Sequence, residues 1–305
     1  MTLGNRNVAF YVIGGSSTGG TLPPAQTDKN KLELEITCNT QLYNFSDMDF
    51  GATSSPIEFL TTVYAPNRIK YKFMIDAPTK IYIGPDIVDF AISVKTNIPS
   101  TVTDLSYMFE STPSSVKSLT NIEFTDVDTS NVTDMEGMFY GCGGLTTLDV
   151  SKFDTSSCEN MQYMFASCDH MKGIDVSNFD TSKVLNMNNM FDSCGSEVGE
   201  TYSINVSGWD TSSCLEMASM FCNTLVKDLD LSSFDTSKVF DMWGMFLFCS
   251  QLETLNISNF NLDAIEETNG MFNYTNKLTF NNIDLSNCNT NTKALIKTAF
   301  DNRVN

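Results

Sequence analysis

From residue 101 onward the hydrophobic positions repeat as a phrase. In the copy that begins at Asp128, Val132, Met135, Met138, Phe139 and Cys142 recur at helical spacing and predict a helix with one apolar face. The preceding Asp-Thr-Ser supplies turn and N-cap residues, and Gly143 and Gly144 predict the stop. Leu145, Leu148, Val150 and Phe153 follow and predict a short strand. The same frame holds for Met171, Ile174, Val176 and Phe179, for Leu252, Leu255, Ile257 and Phe260, and more loosely for Leu119, Ile122, Phe124 and Val127. The dipeptide Met-Phe marks each copy, at Met108, Met138, Met164, Met190, Met220, Met245 and Met271, with steps of 30, 26, 26, 30, 25 and 26 residues. Each Met-Phe is fixed to the face that must cover the strand, so it belongs to the core rather than to a soft-metal or peptide-binding surface.

A period of this size means that each copy is one unit that buries its apolar face against the next. The expected fold is therefore an α/β repeat solenoid, leucine-rich-repeat-like, with one short strand plus one helix per coil. About seven such coils occupy residues 101–275. The longer step before Met220 carries an insertion, GSEVGETYS, expected to bulge between helix and strand. Residues 276–305 decay into a capping coil with a polar helix at TNTKALIKTAF. Upstream the period changes from 3.6 to 2. Leu32, Leu34 and Ile36 alternate with charged residues, and IKYKFMI, KIYIG and VDFAISV continue the pattern, so residues 31–100 read as a β-rich domain or cap. In residues 1–30, Val8, Phe10 and Val12 predict a strand or arm, and a Gly/Ser/Pro stretch reads as linker.

Charge divides the chain in the same place. Residues 1–100 hold 9 acidic and 8 basic groups, whereas residues 101–305 hold 28 and 10, within a net charge of −19. An acidic array repels nucleic-acid phosphates and anionic membranes and favours cations and basic partners. No apolar run approaches the roughly 20 residues of a membrane span. The nine cysteines contain no C-x-x-C pair. Cys142, Cys168, Cys194 and Cys249 sit three residues after a Phe, and Cys158 and Cys214 replace Val132, Val184 and Val239. They read as small, buried, reduced residues.

Stacking the copies turns repeated residues into columns. Thr147, Asp149, Gly173, Asp175, Ser203, Asn205, Asp228, Asp230, Thr254 and Asn256 line the predicted strand face, the candidate binding face. A serine column (Ser151, Ser177, Ser207, Ser232, Ser258, Ser286) is expected to bond between coils or to the turn backbone. Tyr140, Tyr163, Trp243 and Phe248 make the opposite side a rival. Asp128, Asp154, Asp180, Asp210 and Asp235 open successive Asp-Thr-Ser turns and are the candidate Ca²⁺ ligands, as hard oxygen donors; no other metal or cofactor is expected. Neighbouring carboxylates about 5 Å apart repel by about 0.8–3.3 kcal/mol, and N–H groups at the turn are the expected counterweight. The single histidine, His170, reads as a surface or loop residue, and no Ser-x-x-Lys or G-x-S-x-G sequence presents a nucleophile. Carboxylate pairs recur in every copy rather than in one special one, so no catalytic residues and no enzyme activity are expected.

The phrase FDTSxVxxMxxMFxxCxxLxxLDVSxF resembles the repeats of the BspA-like leucine-rich-repeat family over residues 101–288. That resemblance implies adhesion and contact with host or matrix, since members are mostly bacterial surface proteins; related repeats are also found in phage-encoded proteins. The N-terminus MTLGNRNVAFYVIGG lacks the pattern of a signal sequence, and there is no lipid-attachment Cys or cell-wall sorting tail. The expectation is thus a non-enzymatic structural and binding module of a phage virion, acting in head or tail decoration or adsorption. It would contact protein or glycan on a cell surface, with self-association or virion anchoring through the N-terminal region. An exported bacterial surface adhesin is the alternative.

Overall fold

The computed structural model describes the strands between residues 31 and 98, and residues 100–110, 119–197, 199 and 202–304. The arm with Val8, Phe10 and Val12 and the Gly/Ser/Pro stretch lie outside the described residues. The alternating segments fall in β1 (Lys31–Cys38), β4 (Arg68–Asp76), β5 (Tyr82–Ile83) and β6 (Ile92–Ile98); β2 (Met48–Asp49) and β3 (Glu58–Ala65) come from stretches in which no alternation was singled out, and β7 (Leu119–Val127) follows. Five of them make one sheet in the order β3-β4-β1-β6-β7. Pairing is antiparallel as far as β6, and β6 then pairs with β7 in parallel. That switch joins the N-terminal sheet to the repeats, which are parallel throughout.

The predicted strand of each later copy appears in miniature. It forms β8 (Gly173–Asp175), β9 (Ser203–Asn205), β10 (Asp228–Asp230), β11 (Thr254–Asn256) and β12 (Ile283–Asp284). β8 pairs with β9, and β10 with β11 and β12, all in parallel.

The one-strand-plus-one-helix coil does not form. Among the described residues the α-helix is α1 (Thr290–Asp301), beyond the last Met-Phe. Where a helix was expected over Val132–Cys142, hydrogen bonding alternates between the copy itself and its neighbour. Met138, Tyr140 and Cys142 donate their N–H groups three residues back, to Met135, Gly137 and Phe139. Met135, Gly137, Phe139 and Gly141 donate instead to Asn160, Gln162, Met164 and Ala166 of the next copy. An α-helix would return every one of these N–H groups four residues back along its own chain. The dihedrals agree. The residue before Met-Phe has positive φ in all seven copies, at Tyr107, Gly137, Tyr163, Asn189, Ser219, Gly244 and Gly270, and so does the residue two past Phe at Gly141, Ser167, Ser193, Asn223, Phe248 and Tyr274. A left-handed residue every fourth position breaks a right-handed helix. The result is a chain of turns crossed by single parallel bridges, running Asp104, Asp134, Asn160, Asn186, Glu216, Asp241, Glu267. The helical spacing of apolar residues therefore located the buried face correctly and misassigned the backbone. The glycines at 143 and 144 have no helix to stop, and the Asp-Thr-Ser residues close turns rather than cap helices.

Packing explains why this backbone is stable. Phe109, Phe139, Phe165, Phe191, Phe221, Phe246 and Phe272 are buried and stack face over face, with centroids 5.5–6.1 Å apart and planes within 20° of parallel. Each aromatic contact adds about 0.5–1.5 kcal/mol beyond area burial. Trp209 stands in the place of Phe179 and Phe234 in a second column, stacks on both, and donates Nε1–H to the Val176 carbonyl at 2.8 Å. The threonine of each Asp-Thr-Ser is buried and ties copy to copy. Thr129, Thr155, Thr181, Thr211 and Thr236 donate Oγ1–H to the carbonyls of Asp154, Asp180, Asp210, Asp235 and Asn261 at 2.8–3.0 Å.

The insertion before Met220 is pinned by Tyr202, whose buried ring lies over Gly195 and whose hydroxyl meets Cys194 Sγ at 3.1 Å. After the last Met-Phe copy the chain turns to α1, whose N–H groups are satisfied within the helix itself. Asn289 caps α1 by accepting from the Thr292 N–H, and Phe300 closes the phenylalanine stack edge-on against Phe272 at 5.6 Å.

Candidate functional site

The ten residues of the predicted strand face are exposed or half-buried, while the residue between each pair, such as Ile174, Leu229 and Leu255, turns inward. Period-2 alternation in a three-residue strand suffices for this. The structure gathers them in two groups. Gly173 pairs with Ser203 and Asp175 with Asn205; Asp228 pairs with Thr254 and Asp230 with Asn256. A Cβ at Gly173 would lie 2.8 Å from Ser203 Oγ, so the glycine makes room for its neighbour. Thr254 donates to Asp228 Oδ1 at 2.5 Å. Thr147 and Asp149 stand apart: their segment makes no ladder, and one backbone bond, from the Lys172 N–H to the Thr146 carbonyl at 3.1 Å, links it to the next copy, beside the Asn178 side chain, which donates to the Val150 and Ser151 carbonyls at 3.4 Å. The gap on its other side leaves a cleft of about 190 Å³ lined by Asn121, Ile122, Glu123, Phe124, Asp149 and Lys152. That is below the roughly 300–1,000 Å³ of ordinary small-molecule sites.

The acidic columns do local work. Asp128, Asp154, Asp180, Asp210 and Asp235 each accept the N–H of the residue two ahead, at 2.9–3.2 Å. Asp149, Asp175, Asn205, Asp230, Asn256 and Asp284 do the same for the serine column, at 2.8–3.2 Å, so those serines close turns, and the ties between copies fall to the threonines. The Ser156, Ser182 and Ser212 hydroxyls, aided by the same residues' N–H groups, hold Asp154, Asp180 and Asp210 below the usual carboxylate range; Ser151 and Ser177 do so for Asp149 and Asp175. Among the described residues no group of three or more His, Cys, Asp or Glu is placed to hold a metal ion.

A third polar column runs along the bridges. Asn160 donates to Glu136 at 3.2 Å, Asn186 to Gln162 at 3.0 Å, and Asn188 to Glu216 at 2.5 Å. The Tyr107 hydroxyl donates to Glu136 at the start of the series. Burial, reinforced by Asp104 and Glu136, raises the carboxyl of Asp134. His170 is partly buried, 3.5 Å from Glu197.

All eight described cysteines are free and buried. Burial pushes the Cys158 and Cys214 thiols up to about 12 and Cys249 to about 11. Cys142, Cys168 and Cys249 spend their S–H on the carbonyls of Phe109, Phe139 and Phe221 at 3.0–3.3 Å. These are inert packing residues, as their alternation with Val and Thr suggested.

On the rival side Tyr140 and Tyr163 meet edge-on at 6.0 Å, and Phe248 stacks on Tyr274 at 4.6 Å. Trp243 and Phe248 are exposed, as are Leu185, Leu215 and Phe240, which sequence reasoning passed over. Their signal was present: each follows the buried Val or Cys of its copy, at a position that is Thr133, Glu159 and Glu266 elsewhere.

These features define a repeat protein whose parallel copies share one core and expose columns of side chains. Two overlapping copies of a single family model match residues 103–207 and 196–305, a family described as "Mycoplasma protein of unknown function, DUF285", and the chain belongs to it. The match names that repeat-containing family and not the BspA-like one. No curated protein and no solved structure matches the chain. Among the described residues no helix is long and apolar enough to cross a membrane.

Proposed function

We propose that this chain is a non-enzymatic binding module that presents its stacked copies at a bacterial surface for contact with protein or glycan. The observation that carries the reading is the register. Equivalent side chains of successive copies fall side by side, in parallel, as extended exposed columns over a continuous core. The carboxylates a catalytic reading would need recur in each copy and serve its turns, which favours display over chemistry. The strand face, from Gly173 and Asp175 to Thr254 and Asn256, is the proposed contact surface, and the N-terminal sheet, continuous with the array through β6 and β7, is the proposed anchor. The family match, through its Mycoplasma description, supports a cellular setting and lends nothing to the phage virion.

The test has two parts. Protease shaving of intact cells should remove the protein from the surface, and mass spectrometry of purified phage particles should not find it; its presence in particles would move the setting to the virion. Purified chain should bind cells, matrix proteins or a glycan array, and Asp175→Lys with Asp230→Lys should reduce that binding at least tenfold. Undiminished binding by the double variant would remove the strand face from the proposal.

A further inference from the structure

Three consecutive copies break the polar rule of one surface column. Leu185, Leu215 and Phe240 are 42%, 36% and 37% exposed, and the equivalent residues of the other copies are Thr103, Thr133, Glu159 and Glu266. Backbone bonds make the three neighbours rather than scattered residues. The Leu215 N–H donates to the Leu185 carbonyl at 2.9 Å and the Phe240 N–H to the Leu215 carbonyl at 3.0 Å. Glu159 adjoins Leu185 at one end and Glu266 adjoins Phe240 at the other, through bonds of 2.8 Å each. Trp243, 46% exposed, follows three residues after Phe240. Single exposed leucines need no explanation, but an apolar stripe in register with a polar border does.

The border says what covers it. Glu216, Asp241 and Glu267 run alongside in the bridge column, and Glu159 and Glu266 close the ends. Lys183 and Lys238 precede Leu185 and Phe240 by two residues, so five carboxylates outnumber two cations around the stripe. A surface of this charge repels anionic lipid, nucleic acid and a second copy of the same acidic array. The spacing narrows the choice further. Rungs of a parallel ladder are about 4.8 Å apart. Apolar side chains at i, i+3 and i+4 of a helix are about 5–6 Å apart, whereas same-face residues of a strand are about 6.6–6.8 Å apart.

We propose that the stripe Leu185–Leu215–Phe240, with Trp243, docks a basic amphipathic helix of a partner protein, its apolar face on the stripe and its Lys and Arg residues toward the acidic border. The proposal rests on the binding-module reading but uses a different face from the strand columns.

The probe is a synthetic Leu/Lys peptide with leucines at helical spacing, against a scrambled peptide of equal composition and charge. Full-length chain should bind the amphipathic peptide at least tenfold more tightly than the scrambled one, more weakly as salt rises, with a blue shift of Trp243 emission; Trp209 is buried and unaffected. Leu185→Thr, Leu215→Thr and Phe240→Thr together install a residue that other copies carry, and should remove the preference without moving the urea midpoint. Equal affinity for both peptides, or an unchanged preference in the triple variant, overturns the proposal. So does a concentration-dependent dimer that the triple variant abolishes, or binding to anionic vesicles in preference to the peptide. If the peptide fails while surface binding still depends on Asp175 and Asp230, this inference is lost and the binding-module reading stands.

Discussion

Replacing Gly244 by Ala asks the backbone directly what it is. In a helix interior the change would stabilise by about 0.8–1 kcal/mol, because glycine is the weaker helix former. Gly244 instead has φ +60, and a Cβ there would meet Ser219 Oγ and Leu247 at 3.3–3.4 Å, tight but without severe overlap. The left-handed conformation costs a residue with a Cβ about 1–2 kcal/mol, against which alanine recovers about 0.4–1 kcal/mol from the unfolded chain. The expected net is a loss of up to about 1.6 kcal/mol, against a gain in the helical case. Gly137 adds a steric term. Its φ is +56, and its Cβ would lie 2.4 Å from Cε1 of Tyr107, so the ring and its hydrogen bond to Glu136 must shift. Gly137→Ala should lose about 2–4 kcal/mol, and part of that should vanish in a Tyr107→Ala background. The mirror experiment is Ser219→Gly at φ +54, which should be neutral or stabilising. Urea midpoints with constant slope measure all four. A rise in stability for Gly244→Ala, or a clear fall for Ser219→Gly, would refute the turn-ladder backbone.

Phe191→Ala, at the centre of the buried stack with Phe165 and Phe221 at 5.6 Å on either side, should lose about 3–5 kcal/mol in the same denaturation; exposed Phe248→Ala should lose under about 1 kcal/mol. Thr181→Val removes the donor to the Asp210 carbonyl at 2.8 Å and should cost about 1–3 kcal/mol. Acid titration of stability should show both signs. Asp149, Asp154, Asp175, Asp180 and Asp210 titrate below their ordinary value of 3.8 when folded, so their support is complete above that pH and is lost as pH falls through the lower folded values. Half-buried Asp192 is raised by its burial. Its charge therefore opposes folding at neutral pH and ceases to as pH falls, and Asp192→Asn should raise the midpoint at pH 7 but not near pH 3. The eight buried thiols should resist a thiol reagent in the native protein and react on unfolding, located by peptide mass spectrometry; rapid native labelling of Cys142, Cys168 or Cys249 would contradict their burial.

The core was legible and the backbone was not, for one physical reason. Burial has a period, and the period of Val132, Met135, Met138, Phe139 and Cys142 suits a helix. The same residues are also buried when alternate N–H groups leave for the next copy, and apolar periodicity cannot tell where an N–H goes. A second signal could. The column before Met-Phe reads Tyr, Gly, Tyr, Asn, Ser, Gly, Gly, and Gly and Asn at the centre of a supposed helix mark the left-handed conformation. Thr129 and its equivalents were likewise hidden, because a buried threonine in a turn motif looks the same in sequence as an exposed one. The helix at TNTKALIKTAF was legible because it alone obeys helix rules throughout: Asn289 at its N-cap, Ile296 and Phe300 on the inner face, no left-handed residue within.

The same bonding pattern bears on where a partner meets this molecule. Because alternate N–H groups run between copies, an exposed residue at one position lands beside its equivalent about 4.8 Å away, and a substitution fixed in neighbouring copies becomes a surface stripe. A helix in each coil would have spaced equivalent residues by helix packing, about 8–10 Å, too far for three side chains to act as one platform. Leu185, Leu215 and Phe240 can therefore make one continuous contact only on the backbone found here. The fate of Gly244→Ala and the peptide preference of the Thr triple variant are thus linked. If the alanine stabilises as in a helix, the stripe has no basis. If it destabilises, the stripe follows from three side chains already in register.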